Sequence, residues 1–424
     1  MPFELMNLNG IPAGCLRGSI CSLEPSKVGM LSQTYEEMED LCVSNSLWKV
    51  LYDNKFPIHS FMTKKREENI DWLSRYSKRY SIASNLKKHR PKVHSFNDDK
   101  INKIRTLDNA FAYNTPDKIS LIVYEYFDDE CTYEKAAEFT KKNHDFLFLD
   151  NNSLLSVKSN NFTIFDITKQ TKKLKQTQTL GINPILERMS QNVFSVVSDS
   201  KCSVFDTRDS LHSICTFWQN GHIIGSSHDG SILYVACKNH LTAHDTKNPR
   251  GPVLWHSYVG NKISFFSANV KERRAIYGNH IINLDDGEVC AYYNYPDTTT
   301  AAVVNDHIAV FGHENRSAVF YNYENCTVAG CFQFGEDEGI KSIDPAIVNN
   351  TIAIAADYNI TILKTPDEAG NVEQIRSVQC GSIAQRKRGD IGPVKQIVFD
   401  GERLITNMET FVRVYDFYTG KSDV

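Results

Sequence analysis

The chain has 424 residues, 41% of them hydrophobic and 23% charged, and 47 Lys and Arg against 51 Asp and Glu give a formal net charge of −4. That length predicts two or three domains with ample material for a core, and the slightly acidic balance argues against a bulk nucleic-acid binder, which needs surplus positive charge. No apolar run reaches the roughly 18–20 residues that span a bilayer, and eleven scattered cysteines without a CxxC pair read as reduced thiols of a cytosolic or nuclear protein, not as a disulfide framework or a zinc site.

The first predicted elements are helices. In LSQTYEEMEDLC, Leu31, Tyr35, Met38, Leu41 and Cys42 recur at helical spacing, with the glutamates largely off that face. Ser44-Asn45-Ser46 supplies a break and a capping candidate before a second apolar set, Leu47, Trp48, Val50, Leu51 and Phe56. A third helical stretch carries Ile70, Leu73, Tyr76 and Tyr80. From Met62 to Arg105 the chain is basic, thirteen Lys and Arg against five Asp and Glu. A solvated helical face is the first reading of that stretch, and nuclear import or an acidic partner is the sharper one.

Beyond it the chain turns to strands with a period. Copies such as SLLSVKSNNFTIFDIT, VFSVVSDSKCSVFDTR and ILYVACKNHLTAHDTK pair an alternating apolar strand, a small polar turn, and a second strand ending in an apolar residue and usually Asp. The marker falls at Asp166, Asp206, Asp245, Asp285, Tyr321, Lys364 and Asp416, at separations of 40, 39, 40, 36, 43 and 52. Two further strand-like runs fit into each interval, so each unit supplies four short strands. A single four-stranded sheet cannot bury both faces alone, and seven copies predict a closed seven-bladed ring. The last copy lacks a fourth strand, and Ile119–Phe127 is the predicted donor that fastens it.

These units resemble WD repeats in period and strand pattern, with Phe165-Asp166, Phe205-Asp206, His244-Asp245, Leu284-Asp285 and Tyr415-Asp416 standing for the Trp-Asp pair. A kelch-like or unrelated ring of seven blades is the competing reading. Ahead of them, the run ending SLWKVLY (Ser46–Tyr52) resembles the second half of an F-box, and DWLSRYSKRYSIASNLKKHRPKV is similar to the linker of F-box/WD-repeat proteins. Met1-Pro2-Phe3-Glu4-Leu5 echoes the F-box opening, although Gly10, Pro12, Gly14 and Gly18 follow where a helix is expected.

The resemblance implies a mainly β protein in three parts: an F-box-like helical region over 1–58, a basic helical linker over 59–118, and a seven-bladed WD-like β-propeller over 119–424. It implies the substrate-recognition subunit of a cullin–RING ubiquitin ligase. Leu31, Leu41, Leu47, Trp48 and Leu51 would meet a Skp-type adaptor while the propeller presents a target protein. The alternative is a propeller scaffold that binds proteins without any ligase.

No nucleophile elbow, phosphate-cradling loop or HExxH occurs in the sequence, so a non-enzymatic protein without cofactor or metal is expected. The recurrent Asp is expected to accept hydrogen bonds from turn N–H groups. The predicted target site lies on the face shared by the loops joining strand four to strand one and strand two to strand three. Lys158, Lys201, Lys238, Lys262, Arg316, Lys341 and the triplet Arg386, Lys387, Arg388 would there suit an acidic or phosphorylated protein segment. Asp199, Glu314, Asp357 and Glu409 occupy similar turns and would partly cancel that field.

Overall fold

The computed structural model describes residues 45–55 and 91–417, the latter without 108–109, 128–129, 141–144, 151, 159–160, 178–183, 190–192, 209–212, 249–251, 261–262, 264, 296, 336–339, 346–350, 382–390 and 402. The chain divides into two compact units, Met1–Asn85 and Leu86–Val424. In the first, the described residues form one helix, α1 (Asn45–Lys55). It begins where the Ser-Asn-Ser break predicts. Leu47, Trp48 and Leu51 are buried on one side of it, whereas Ser46 and Val50 are exposed.

The second unit opens with β1 (Lys92–Asn97) and continues through seven complete sheets. Blade 1 is β2–β5 (Lys103–Leu107, Ala110–Asn114, Lys118–Phe127, Glu130–Thr140) and blade 2 is β6–β9 (Asp145–Asp150, Ser153–Lys158, Asn161–Asp166, Thr171–Thr177). Blade 3 is β10–β13 (Ile185–Arg188, Val193–Ser198, Lys201–Asp206, Ser213–Trp218) and blade 4 is β14–β17 (Ile223–His228, Ile232–Cys237, His240–Asp245, Trp255–Tyr258). Blade 5 is β18–β21 (Phe266–Asn269, Arg274–Tyr277, His280–Asn283, Val289–Tyr292) and blade 6 is β22–β25 (Thr298–Val303, Ile308–His313, Ser317–Asn322, Thr327–Gln333). Blade 7 is β26–β29 (Ile340–Pro345, Thr351–Ala356, Asn359–Lys364, Gln374–Gln379), and the chain ends on β30–β32 (Gln396–Phe399, Arg403–Asn407, Phe411–Asp416).

Every sheet is an antiparallel meander, and the eighth is completed by β1, which pairs with β32 from Lys92↔Asp416 to Asn97↔Phe411. The first strands of successive sheets are neighbours, and β30 returns to β2, so the sheets close a ring. Each sheet buries both faces against the next. Ala112, Leu121 and Phe139 of blade 1 meet Phe146, Leu154 and Phe165 of blade 2, and Val204, Phe217 and Cys202 of blade 3 meet Ile223, Leu233 and Val235 of blade 4. At roughly 1.5–3 kcal/mol for each large apolar side chain fully buried, these inter-blade layers supply most of the drive to close.

The period has a definite structural meaning. In blades 2–8 the first residue of the second strand stands opposite the last residue of the third: Ser153↔Asp166, Val193↔Asp206, Ile232↔Asp245 and Arg403↔Asp416. Asp166, Asp206 and Asp245 then accept from the backbone N–H groups of Lys169, Arg208 and Lys247 at 3.0, 2.8 and 2.8 Å, fixing the exit from the strand. Asn283 and Asn322 do the same for Asp285 and Glu324. The turns between second and third strands are tight, and Asp199, Arg316, Asp357 and Glu409 take positive φ there.

Three expectations are corrected. The ring has eight blades, not seven, because residues 103–140 form a complete blade of their own whose marker position, opposite Ala110, is Val123 instead of an acid. Ile119–Phe127 is therefore the third strand of blade 1, and the strand that fastens the ring is β1. Residues 92–97, 103–107 and 110–114 are strands where a helical linker is expected, and α1 is the sole helix among the described residues. Their alternating polar and apolar residues, as in KVHSFN and KIRTL, fit a pleated edge better than a helical stripe.

The seam is held by more than the ladder. The Tyr133 hydroxyl of blade 1 donates to Asp416 of blade 8 at 2.8 Å, and the His94 ring of β1 lies 4.3 Å from that of Tyr133. Arg403, fully buried, donates to Asp400 through Nε at 2.9 Å, holds Nη2 in an ion pair 2.8 Å from the same carboxylate, and lies 3.9 Å over the Tyr124 ring. From the other side of the seam, Gln396 of β30 brackets Ile104 of β2, accepting from its N–H at 2.9 Å and donating to its carbonyl at 3.0 Å.

Candidate interaction face

The turns between second and third strands and the links between blades share one face of the ring. Four of the expected target residues sit there: Lys158 ends β7, Lys201 begins β12, Lys238 follows β15 and Arg316 precedes β24. They belong to blades 2, 3, 4 and 6, so only those of blades 2–4 are on consecutive blades. Lys238 is exposed and the other three are half-buried. Asp199 lies beside Lys201 in its turn, and Glu314 lies two residues from Arg316. Lys341 is within β26. Lys262 and the triplet Arg386, Lys387 and Arg388 lie outside the described residues, as do Leu31 and Leu41.

The same face carries a feature that charge alone does not disclose. The last residue of the fourth strand is aromatic in three consecutive blades, Trp218, Tyr258 and Tyr292, and these are 73%, 71% and 51% exposed. Each stands opposite the first residue of the third strand: Lys201↔Trp218, His240↔Tyr258 and His280↔Tyr292. The Lys201 ammonium lies 5.6 Å from the Trp218 ring centroid, and the imidazoles of His240 and His280 lie 6.0 and 4.7 Å from the rings of Tyr258 and Tyr292. Thr140, Thr177, Gln333 and Gln379 hold the corresponding place in blades 1, 2, 6 and 7. The aromatic arc thus marks one sector of the ring. Its signal is in the sequence, as an aromatic that ends every fourth strand from 218 to 292, but only the register reveals that the three positions are equivalent.

Burial disfavours the charged form of His244 and His240 in this sector. Burial pushes His244 down to about 4, with His240 and His256 acting in the same direction, and its Nε2 is 2.9 Å from Gln219 Nε2 and 3.0 Å from Thr242 Oγ1. Burial also lowers His240, whose Nε2 reaches Gln219 Oε1 at 3.2 Å. Among the described residues no His, Cys, Asp and Glu group of three or more could hold a metal ion.

A second polar cluster lines the axis of the ring, where the first strands converge. Asp145 at the start of β6 is buried and receives Lys103 at 2.9 Å, Arg105 at 3.1 Å and the backbone N–H of Leu186 at 2.9 Å. Arg105 also donates to the Leu186 carbonyl at 2.6 Å, so two cations of blade 1 and one carboxylate of blade 2 fix the edge of blade 3. Burial acts to raise Asp145, but Arg105 and Lys103 outweigh it and hold the carboxyl below its usual range. Glu187, on β10, differs: burial raises it to about 7 against a hydrogen bond from Ser226 and the fields of Arg105 and Lys103.

The folded chain keeps the Glu187 proton up to about pH 7 while the unfolded chain releases it near 4.5, so the stability from this group is fully present below 4.5 and is lost as pH rises through 7. Glu187→Gln is expected to leave the melting temperature unchanged at pH 4.5 and to raise stability at pH 8 by up to about 3 kcal/mol. Parallel melts of the two proteins at both pH values check this, and equal midpoints at pH 8 would refute it.

No family model matches the sequence, and no curated protein does. Solved structures do. The ring is similar to the C-terminal WD40 domain of Sif2, with a TM-score of 0.60 and 10% identity over 77% of this chain and 99% of that one. It is similar to the computationally designed Ika8 protein, with a TM-score of 0.58 and 12% identity over 77% and 98%. Hsv2 of Kluyveromyces lactis matches with a TM-score of 0.52 and 9% identity over 67% and 100%. At such identities the likeness establishes the fold alone, a WD40-type β-propeller.

Proposed function

We propose that this chain is a non-enzymatic platform that captures a protein partner on the sector of blades 3–5. What carries the reading is the recurrence of Trp218, Tyr258 and Tyr292 at one register position, exposed and each beside a cation or imidazole. Rigid aromatics supply contact area at low entropic cost and are the usual anchors of interfaces. Lys201, with Lys238 nearby, suits acidic or phosphorylated groups flanking the anchored segment, and Lys158, Arg316 and the 386–388 triplet would extend that preference round the ring. Trp218→Ala with Tyr258→Ala is expected to weaken capture of co-purifying partners at least tenfold without moving the melting transition. Undiminished capture by that folded double variant would refute the site.

A finer reading makes the platform a substrate receptor of a cullin–RING ubiquitin ligase, in the cytosol or nucleus. Its support is the SLWKVLY segment, which lies in α1, together with the resemblance of that segment to an F-box helix. In this reading α1 and the neighbouring Leu31 and Leu41 dock on a Skp-type adaptor, and the ring holds target lysines close to a charged ubiquitin-conjugating enzyme. Affinity purification with mass spectrometry tests it: adaptor and cullin should be recovered, and should be lost from Trp48→Ala with Leu51→Ala while propeller partners remain. Stable partners without adaptor or cullin would leave the ligase-independent platform standing alone.

A further inference from the structure

We propose that Asn220 is a site of spontaneous covalent modification, where the Asn220-Gly221 pair closes a succinimide and reopens as aspartate or isoaspartate. The pair is exposed in the link between β13 and β14, directly after Trp218 and Gln219. The site does not depend on the platform reading. Its chemistry needs no co-reactant but water. The Gly221 backbone nitrogen attacks Cγ of Asn220 and closes a five-membered imide, while the bond from Cγ to the side-chain nitrogen breaks. That nitrogen leaves as ammonia, taking the proton given up by the Gly221 N–H. Water then opens the ring: addition at Cγ leaves aspartate, and addition at the Asn220 backbone carbonyl carbon leaves isoaspartate, whose main chain runs through the former side chain and is one methylene longer.

Three observations place the reaction here. Asn220-Gly221 is the sole Asn-Gly pair among the described residues, and glycine, without a Cβ, leaves its amide nitrogen open to attack. The turn itself calls for that glycine, because Gly221 has φ +144°, where L side chains are rarely found. The link is pinned on either side of the pair: the Gln219 N–H donates to the Ser200 carbonyl at 2.8 Å, the Ile223 N–H to the Asp199 carbonyl at 2.8 Å, and the Lys238 N–H to the His222 carbonyl at 3.1 Å. Among the described residues no hydrogen bond engages the Gly221 N–H or the Asn220 side chain. Two other asparagines of the same face lack this freedom. Asn239 Oδ1 lies 2.7 Å from His240 Nδ1, Asn279 Nδ2 donates to the Tyr295 carbonyl at 2.6 Å, and each is followed by a histidine. Either product puts a carboxylate beside the turns that carry Lys201 and Lys238 and offsets part of their charge. Isoaspartate also lengthens the chain next to Gln219, whose side chain reaches both His240 and His244.

Peptide mapping by mass spectrometry tests the proposal on the full chain, aged while folded in warm, mildly alkaline buffer, with enzymatic methylation of isoaspartyl carboxyls as the second readout. Conversion at Asn220 is expected at least tenfold faster than at Asn239 or Asn279, and within tenfold of its own rate in the urea-unfolded chain. Methyl label should appear in the peptide that holds residue 220. Asn220→Gln should melt like the parent and take no label in that peptide, since a glutamine would have to close a six-membered ring. Equal conversion at the three asparagines, more than tenfold slowing of Asn220 by folding, or label that persists in Asn220→Gln would overturn the assignment.

Discussion

Replacing Lys92–Asn97 by a Gly/Ser segment of equal length is expected to lower the melting temperature by on the order of 10 °C and to increase self-association. The replacement keeps the connection but removes β1, so β32 becomes an unpaired edge and blade 8 a three-stranded sheet. Contacts across the seam go with it, including the His94 ring on Tyr133 and the Phe96 ring 5.7 Å from Phe111. Scanning calorimetry and light scattering on the two proteins measure both effects. An unchanged melt in a monomeric variant would mean that the inter-blade layers alone keep the ring shut.

Arg403→Ala should cost about 3–5 kcal/mol, the range found when one partner of a buried ion pair is removed and the other is left behind. Arg403 is fully buried, bound twice to Asp400, seated on Tyr124 of blade 1, and directly opposite Asp416 in the β31–β32 ladder. Its loss leaves Asp416, 1% exposed and bound by the Tyr133 hydroxyl, with less compensation for its charge. Tyr133→Phe removes only the hydroxyl that donates to Asp416, and about 1–3 kcal/mol is expected from a hydrogen bond to a charged group. The two changes share Asp416, so the double variant should lose less than the sum. Urea midpoints for the three variants decide it, and a loss below about 1 kcal/mol in Arg403→Ala would show the arginine to be incidental to the seam.

The strand pattern was legible because period-two alternation and Asx-bearing turns are local signals. Seven marker positions pointed to third strands, and the register places Asp166, Asp206, Asp245, Lys364 and Asp416 at the last residue of theirs. Blade 1 escaped because its marker is Val123 and its third and fourth strands run to ten and eleven residues, blurring the rhythm. Its first strand is basic, and Lys103 and Arg105 look like solvated helix residues until Asp145, forty residues on, supplies their partner. Nothing local to KIRTL announces that pairing. The basic turns of the interaction face were visible as residues but not as neighbours, and the aromatic arc needed the ladder register before Trp218, Tyr258 and Tyr292 could be seen as one position repeated.

Closure by β1 also orders events in time. The strand is among the first of the ring to leave the ribosome and the last to find its partner, since β32 is roughly 300 residues later and synthesis at about 5–20 residues per second delays it by some 15–60 s. During that interval blade 1 can collapse on blade 2 and each later sheet on its predecessor, while KVHSFN waits unpaired. Its composition suits the wait: Lys92, His94, Ser95 and Asn97 interrupt Val93 and Phe96, and half or more of its residues stay exposed even in the finished ring. A more apolar strand would pair better at the end, but would tempt other nascent chains before the end arrives.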